Sequence, residues 1–114
     1  MSLSIQRELV GDCDVLLLSG EVDLSTLPRF TDALNKSAIE GRPVVAVDLE
    51  MVTVLDDSAL GIVLGVASRL RQEHRQLVLV CANQRITSHL AATGVTPLVN
   101  VVSSLSALDI SAVD

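Results

Sequence analysis

The sequence has no tryptophan, no tyrosine and a single phenylalanine, Phe30. A core built almost without rings must be aliphatic, and there is no aromatic platform on which nucleobases could stack. Cations are also scarce: eight Lys and Arg stand against fourteen Asp and Glu, giving a formal net charge of −6, and Lys36 is the one lysine. An acidic surface repels a phosphate backbone, which argues against nucleic acid as a direct partner. The two cysteines, Cys13 and Cys81, sit beside or within Val/Leu runs without CxxC spacing, so buried thiols are expected rather than a disulfide or a zinc site. The longest uncharged stretch, Ile86 to Leu108, is interrupted by His89, Gly94, Pro97 and Asn100. It falls short of the roughly 20 apolar residues that cross a bilayer. Arg7, Glu8, Asp12 and Asp14 break up any apolar signal core near the N-terminus, so a cytoplasmic location is expected.

Several catalytic patterns are missing as well. There is no Gly-x-Ser-x-Gly elbow, no Cys-His or His-x-x-x-His spacing, and no GxxxxGK[ST] or GxGxxG loop, so neither a hydrolytic enzyme nor a bound cofactor or metal is indicated. His74 and His89 fall on helical segments, where single histidines are usually solvated or terminal. Asp48, near a strand end, suggests a phosphoaspartate receiver, but that reading also needs an acidic pair after the first strand and a lysine after the fifth. Lys36 instead lies in the first helical segment.

What is present suits one domain. The 114 residues are 49% hydrophobic with a mean hydropathy of +0.52, enough to fill a core of Leu, Val, Ile and Ala. Ser2 to Leu9 puts Leu3, Ile5 and Leu9 on one side, and Val15 to Ser19 follows a Gly11-Asp12 turn, which predicts a hairpin. A helix follows, capped by Ser25 or Thr26, with Pro28 in its first turn, an apolar stripe of Leu27, Phe30, Leu34 and Ile39, and Gly41 as its stop. Pro43 to Leu49 reads as a buried central strand. Helix Ser58–His74, strand Gln76–Ala82, helix Gln84–Thr93, strand Leu98–Val102 and helix Ser104–Leu108 complete the alternation. The expected class is α/β, with a mostly parallel sheet of four to five strands after the opening hairpin and about four helices.

The stretch VVAVDLEMVTVLDDSALGIVLGVASRLR concentrates the chemistry. It runs from a buried strand through a short apolar connection to Asp56, Asp57 and Ser58 at the head of a helix. The free N–H groups and partial positive charge of a helix N-terminus favour an anion, so Ser58 is placed as a phosphoacceptor. By propensity alone a plain helix cap is the commoner explanation of Asp-Asp-Ser before an apolar run. Along the helix, Leu60, Val63, Leu64, Ala67 and Leu70 form the apolar stripe, while Gly61, Gly65, Ser68 and Gln72 line a smooth flank bordered by Ile62, Val66 and Arg69. Two interior glycines each cost about 1 kcal/mol relative to alanine. That points to close approach either of a partner or of another helix of the same chain.

The run VVAVDLEMVTVLDDSALGIVLG resembles the signature of the STAS family, an apolar strand ending in Asp-Leu and then Asp-Ser-Ser-Gly-Leu-Gly. GEVDLST resembles the family's Gly-Glu-x-Asp turn with small hydroxyl residues, and LVLVCANQRITSHLAATGV its fourth strand and following helix. In the anti-sigma factor antagonist branch, the resemblance implies, the unphosphorylated domain binds an anti-sigma factor with serine kinase activity and so frees a sigma factor. Phosphorylation of one serine reverses this, and a serine phosphatase would reset it. Ser58 matches the phosphorylated serine, Asp56 the leading aspartate, and Leu60 and Gly61 the closing pair. Glu21 and Asp23, followed by Ser25, match the acidic turn near the partner surface. That surface is expected to comprise these three with Asp56, Asp57, Ser58, Ala59, Gly61, Ile62, Gly65 and Arg69. Asp57 stands where the family has Ser or Thr, and Ala59 where it has Gly; the second carboxylate would oppose an added phosphate. Within the family, the alternative is a subunit or scaffold of a larger stress-signalling complex without a phospho-switch. Assembly could use Ile62 and Val66, but no residue pattern calls for an oligomer.

Overall fold

The opening hairpin forms around Gly11 and Asp12, a two-residue connection in which Gly11 takes a left-handed φ of 58° that suits glycine. Strands β1 (Leu3–Val10) and β2 (Cys13–Val22) pair antiparallel. The computed structural model describes residues 2–107. It continues with helix α1 (Leu27–Glu40), strand β3 (Val44–Leu55), helix α2 (Asp57–Gln72), strand β4 (Gln76–Val80), helix α3 (Gln84–Ala92), strand β5 (Asn100–Val102) and a 3₁₀ turn at Leu105–Ala107. The sheet order β1-β2-β3-β4-β5 is the sequence order, and every pair after the first is parallel. This is the mixed, mostly parallel α/β domain that the alternation predicts.

Right-handed crossovers between neighbouring parallel strands put successive helices on one face of a sheet, and the core shows that arrangement. Phe30 and Leu34 of α1, Val63 and Leu70 of α2, and Ile86 and Leu90 of α3 are buried in one cluster with Leu16, Val45 and Leu77 of the sheet. Full burial of such side chains is worth about 1.5–3 kcal/mol each. Cys13, Val15, Val44, Ala46, Val78 and Val80 form a second cluster on the other face, against which Leu17, Val102 and Leu105 pack. Both cysteines are buried free thiols, as expected, and burial raises the pKa of each.

Several expectations change. Strand β3 does not end at Leu49: what reads as an apolar connection is six more residues of strand. The end of β2 is also extended, and Gly20–Val22 pairs with Val52–Leu55 through register shifts. The bulged pairing sends Val52 and Leu55 inward and leaves Met51 and Val54 exposed, which breaks the alternation a strand would display. In α1, Ile39 is 72% exposed, and Ala38 is buried in its place, because the core face passes from Leu34 to i+4. Leu9 is exposed at the polar end of the hairpin. It lies opposite Asp14, whose buried carboxylate is held by Arg7 Nε at 2.8 Å and Nη2 at 2.6 Å. Helix α2 stops at Gln72, and His74 lies beyond it with φ at 60°. Three α-helices are present among the described residues. The expected fourth, Ser104–Leu108, is a single 3₁₀ turn as far as Ala107, and Leu108 lies outside the described residues.

Candidate functional site

Two turns of similar design meet at the C-terminal edge of the sheet. At the first, β2 ends in Glu21 and Val22, and Asp23 begins the approach to α1. Asp23 Oδ1 accepts the Ser25 backbone N–H at 3.0 Å, the Ser25 hydroxyl at 2.6 Å and the Thr26 N–H at 3.1 Å. Thr26 occupies the N-cap position without capping the helix by its side chain. Its hydroxyl turns back instead, donating to the Glu21 carbonyl at 2.8 Å and accepting from the Asp23 N–H at 3.0 Å. Gly20 makes this geometry possible. Its φ is 110°, and a Cβ there would sit 2.3 Å from the Ser2 carbonyl oxygen, because Glu21 N–H donates to that carbonyl.

The second turn follows β3. Asp56 N–H donates to the Val22 carbonyl at 2.8 Å, which ties this turn to the first. Asp56, not Ser58, is the N-cap of α2. Its Oδ1 accepts the Ser58 N–H at 2.9 Å and the Ser58 hydroxyl at 2.7 Å. The hydroxyl therefore donates to a carboxylate rather than accepting from the helix. With its one proton committed to Asp56, its lone pairs are left for an electrophile. Ser58 is half-buried and Asp57 exposed, while Ala59 is fully buried. Both turn carboxylates, Asp23 and Asp56, titrate below their ordinary range. The main cause for Asp56 is the Ser58 backbone N–H and for Asp23 the Ser25 hydroxyl, and Asp23 opposes the shift at Asp56 by like charge.

The glycine flank of α2 is open. Gly61 and Gly65 are exposed and nothing lies within 4 Å of where a Cβ would stand, so none of the described elements covers them. Ser68, Arg69 and Gln72 are exposed on the same helix, and Ile62 is half-buried. Val66 is buried, which corrects the expectation that it borders the flank as an exposed apolar edge; it belongs to the core stripe with Val63 and Leu70.

Four nearby residues escaped the sequence reading. Leu24, between Asp23 and Ser25, is 70% exposed, and Val54 is also exposed. The signal for Leu24 was an apolar residue inside an Asp-x-Ser turn. His89 of α3 reaches Asp57, with Nε2 at 3.0 Å from Oδ1. This separation suits an ion pair when the ring is protonated, although its angle does not make a hydrogen bond. His89 and Arg85 line a groove of about 310 Å³ with Thr53, Val54, Leu55 and Ile86. No linear pattern connects α3 to the head of α2. Among the described residues, no helix is long and apolar enough to cross a membrane.

The sheet order, the paired turns and the strand–Asp–helix connection define a STAS-type domain, and the STAS domain model matches residues 4–108. The chain belongs to the STAS family. It is 28% identical over 102 residues to the anti-sigma-B factor antagonist of Listeria monocytogenes, covering 89% of this chain and 90% of the relative. Among solved structures, the fold is similar to an anti-sigma factor antagonist from Mycobacterium paratuberculosis, with a TM-score of 0.85 at 22% identity over 92% of this chain and 89% of that one. It is also similar to the anti-sigma factor antagonist SpoIIAA in its unphosphorylated form, with a TM-score of 0.75 at 20% identity over 91% and 92%.

Proposed function

We propose that this protein is a cytoplasmic anti-sigma factor antagonist. In its unmodified form it docks on an anti-sigma factor with serine kinase activity and displaces a sigma factor, and it is switched off by phosphorylation of Ser58. The observation that carries this reading is the Ser58 hydroxyl, held by Asp56 at the N-terminus of α2 beside the uncovered Gly61 and Gly65. Gly61, Ile62, Gly65 and Arg69 form the helical half of the docking surface, and Glu21, Asp23 and Ser25, with the exposed Leu24, form the loop half. Asp56, Asp57 and Ser58 join the two, whereas Ala59, expected in this surface, is fully buried in the core and cannot touch a partner.

The chemistry is transfer of a phosphoryl group from a nucleoside triphosphate carried by the partner. The Ser58 oxygen attacks the terminal phosphorus, the new O–P bond forms as the bond to the diphosphate leaving group breaks, and the hydroxyl proton passes to the Asp56 carboxylate that already accepts it in a hydrogen bond. Asp56 orients the oxygen by accepting that proton in a hydrogen bond. The product places a group of nearly two negative charges against the Asp56 carboxylate, one residue on from the exposed Asp57. Any partner surface built to meet a neutral serine then faces both desolvation and like-charge repulsion, costs that reach several kcal/mol at an interface. No refolding is needed for the switch. A serine phosphatase would reverse it.

The exposed Asp57 favours a second reading, a scaffold already charged at this position that binds without switching. One experiment separates the two. Wild type, Ser58→Ala and Ser58→Glu are used as baits, and captured proteins and phosphosites are identified by mass spectrometry. A switch predicts a kinase-type partner retained by wild type and Ser58→Ala, lost by Ser58→Glu, and phosphate on Ser58 alone. Equal capture by all three baits, or phosphate on a different serine, contradicts it.

A further inference from the structure

Asp57 is an exposed carboxylate in the position before Ser58, and like charge makes it oppose a phosphoryl group there. The two side chains are not held alike. The Ser58 hydroxyl is bound by Asp56 at 2.7 Å, and successive side chains of a helix diverge by about 100°. Asp57 is met instead by α3, where His89 Nε2 lies 3.0 Å from its Oδ1. That nitrogen is closed off from solvent and has no hydrogen-bond partner. Arg85, one turn earlier on α3, lines the same groove as His89. These two are the titratable side chains of α3, and four-residue spacing puts them on one face of it.

Three elements face the His89 ring. Helix α2 contributes the Asp57 carboxylate and α3 the Arg85 guanidinium, while β3 contributes Thr53, Val54 and Leu55, none of them charged. In the unmodified protein the ring thus stands between one anion and one cation. A second anion on Ser58 shifts that balance toward the protonated ring. An ordinary imidazole takes up its proton near pH 6.5, and a phosphate monoester takes up its second proton near pH 6. The two groups therefore titrate in the same range, and each stabilises the charged form of the other.

We propose that His89 is a positioning residue for the Ser58 switch: protonated, it holds the Asp57 carboxylate against α3 and offsets its charge, so that the head of α2 accommodates the dianion of a phosphoserine. Built on the phospho-switch proposed above, this role supplies the compensation that an aspartate beside the acceptor requires. His89 acts on the phosphoryl group through Asp57 and not by touching it, and Arg85 adds to the same field from further away. The pair is open to water, with Asp57 74% exposed. Exposed ion pairs of this kind change an equilibrium by about two- to fivefold, and salt screens them.

The test uses the full chain with phosphoserine installed at position 58 during translation, so that no kinase is needed. The second ionisation of that phosphate is followed by phosphorus NMR, with each variant checked for folding by circular dichroism. The proton affinity of the phosphate should rise about twofold or more in His89→Gln. In His89→Lys, which keeps a cation, it should be equal to or below that of wild type. The difference between wild type and His89→Gln should shrink in 1 M sodium chloride, where the Debye length is about 3 Å, and in an Asp57→Asn background. The proposal is overturned if His89→Gln titrates as wild type does, if His89→Lys titrates as His89→Gln does, or if the difference is undiminished with Asp57→Asn. Absence of phosphate from Ser58 in the bait experiment counts against the switch itself, and a titration indifferent to His89 counts against this role alone.

Discussion

The two ends of α2 obey the same electrostatic rule with different results. Acidic side chains gather at the N-terminus, Asp56 as cap and Asp57 in the first turn, and basic ones at the C-terminus, Arg69 and Arg71. Each arrangement complements the helix dipole. At the C-terminal end the cations go further, because Arg75 uses its donors to pin α1 and the Arg42 segment. That end is a joint between elements. At the N-terminal end the cap spends its carboxylate on one serine, and the flank beyond is left without cover by the described residues. The contrast teaches that a helix end can satisfy its own dipole and still be surplus to the fold, and surplus polar geometry at a surface is where binding can be placed.

If the C-terminal end is the joint, truncation there should be the more damaging. Arg75→Met removes charge-assisted bonds to two backbone carbonyls and should lower stability by about 3 kcal/mol, read as a reduced midpoint in urea. A cost below that of an ordinary surface change would erase the contrast. Gly20→Ala strikes the other end through its backbone. The Cβ meets the Ser2 carbonyl at a φ that L-residues avoid, for a loss of about 2 kcal/mol and a displaced Asp23 turn. Gly61→Ala and Gly65→Ala should act in the opposite direction. With open space around each, each should stabilise the helix by about 1 kcal/mol and yet weaken capture of the partner. Stabilisation with undiminished capture would mean that the flank is not a docking surface.

The smallest effect is that of pH. Asp23 and Asp56 both have folded-state pKa values below the ordinary 3.8, so their contribution to stability is present above that pH. It is lost as pH falls through the lower folded values, when the carboxylates protonate and stop accepting from Ser25 and Ser58. Denaturation of Asp56→Asn, which retains an acceptor but cannot titrate, should show a shallower loss of stability below about pH 3.8 than wild type. Parallel acid profiles would remove Asp56 from the account.

The fold class was legible because Val-rich runs and helical stripes alternate with few conflicts, and because Gly11 and Gly41 punctuate where the chain turns. The length of β3 was not, since MVTVL is neither alternating nor wholly apolar. Its strand character comes from the partner stretch Gly20–Val22 and from bulged pairing, a tertiary constraint. Ile39 misled because its position fits a loose stripe while Ala38, four residues from Leu34, fits the actual face. At the site, Asp56, Asp57 and Ser58 were visible as a cluster, but their division of labour was not, because propensity does not tell a capping aspartate from a capping serine. The contact of His89 with Asp57 joins residues 32 positions apart, and only the packing of α3 beside α2 brings them together.

The sheet adds its strands in the order in which they are synthesised, and this sets a timetable. Everything that holds the Ser58 hydroxyl, from Gly20 through the head of α2, lies in the first part of the chain and needs only β1, β2 and β3. The far end of α2 waits for Leu98, whose carbonyl accepts from Arg71. A growing polypeptide would thus position the Ser58 hydroxyl before it can close its far end, and pairing of sequence neighbours keeps the search for each new contact short.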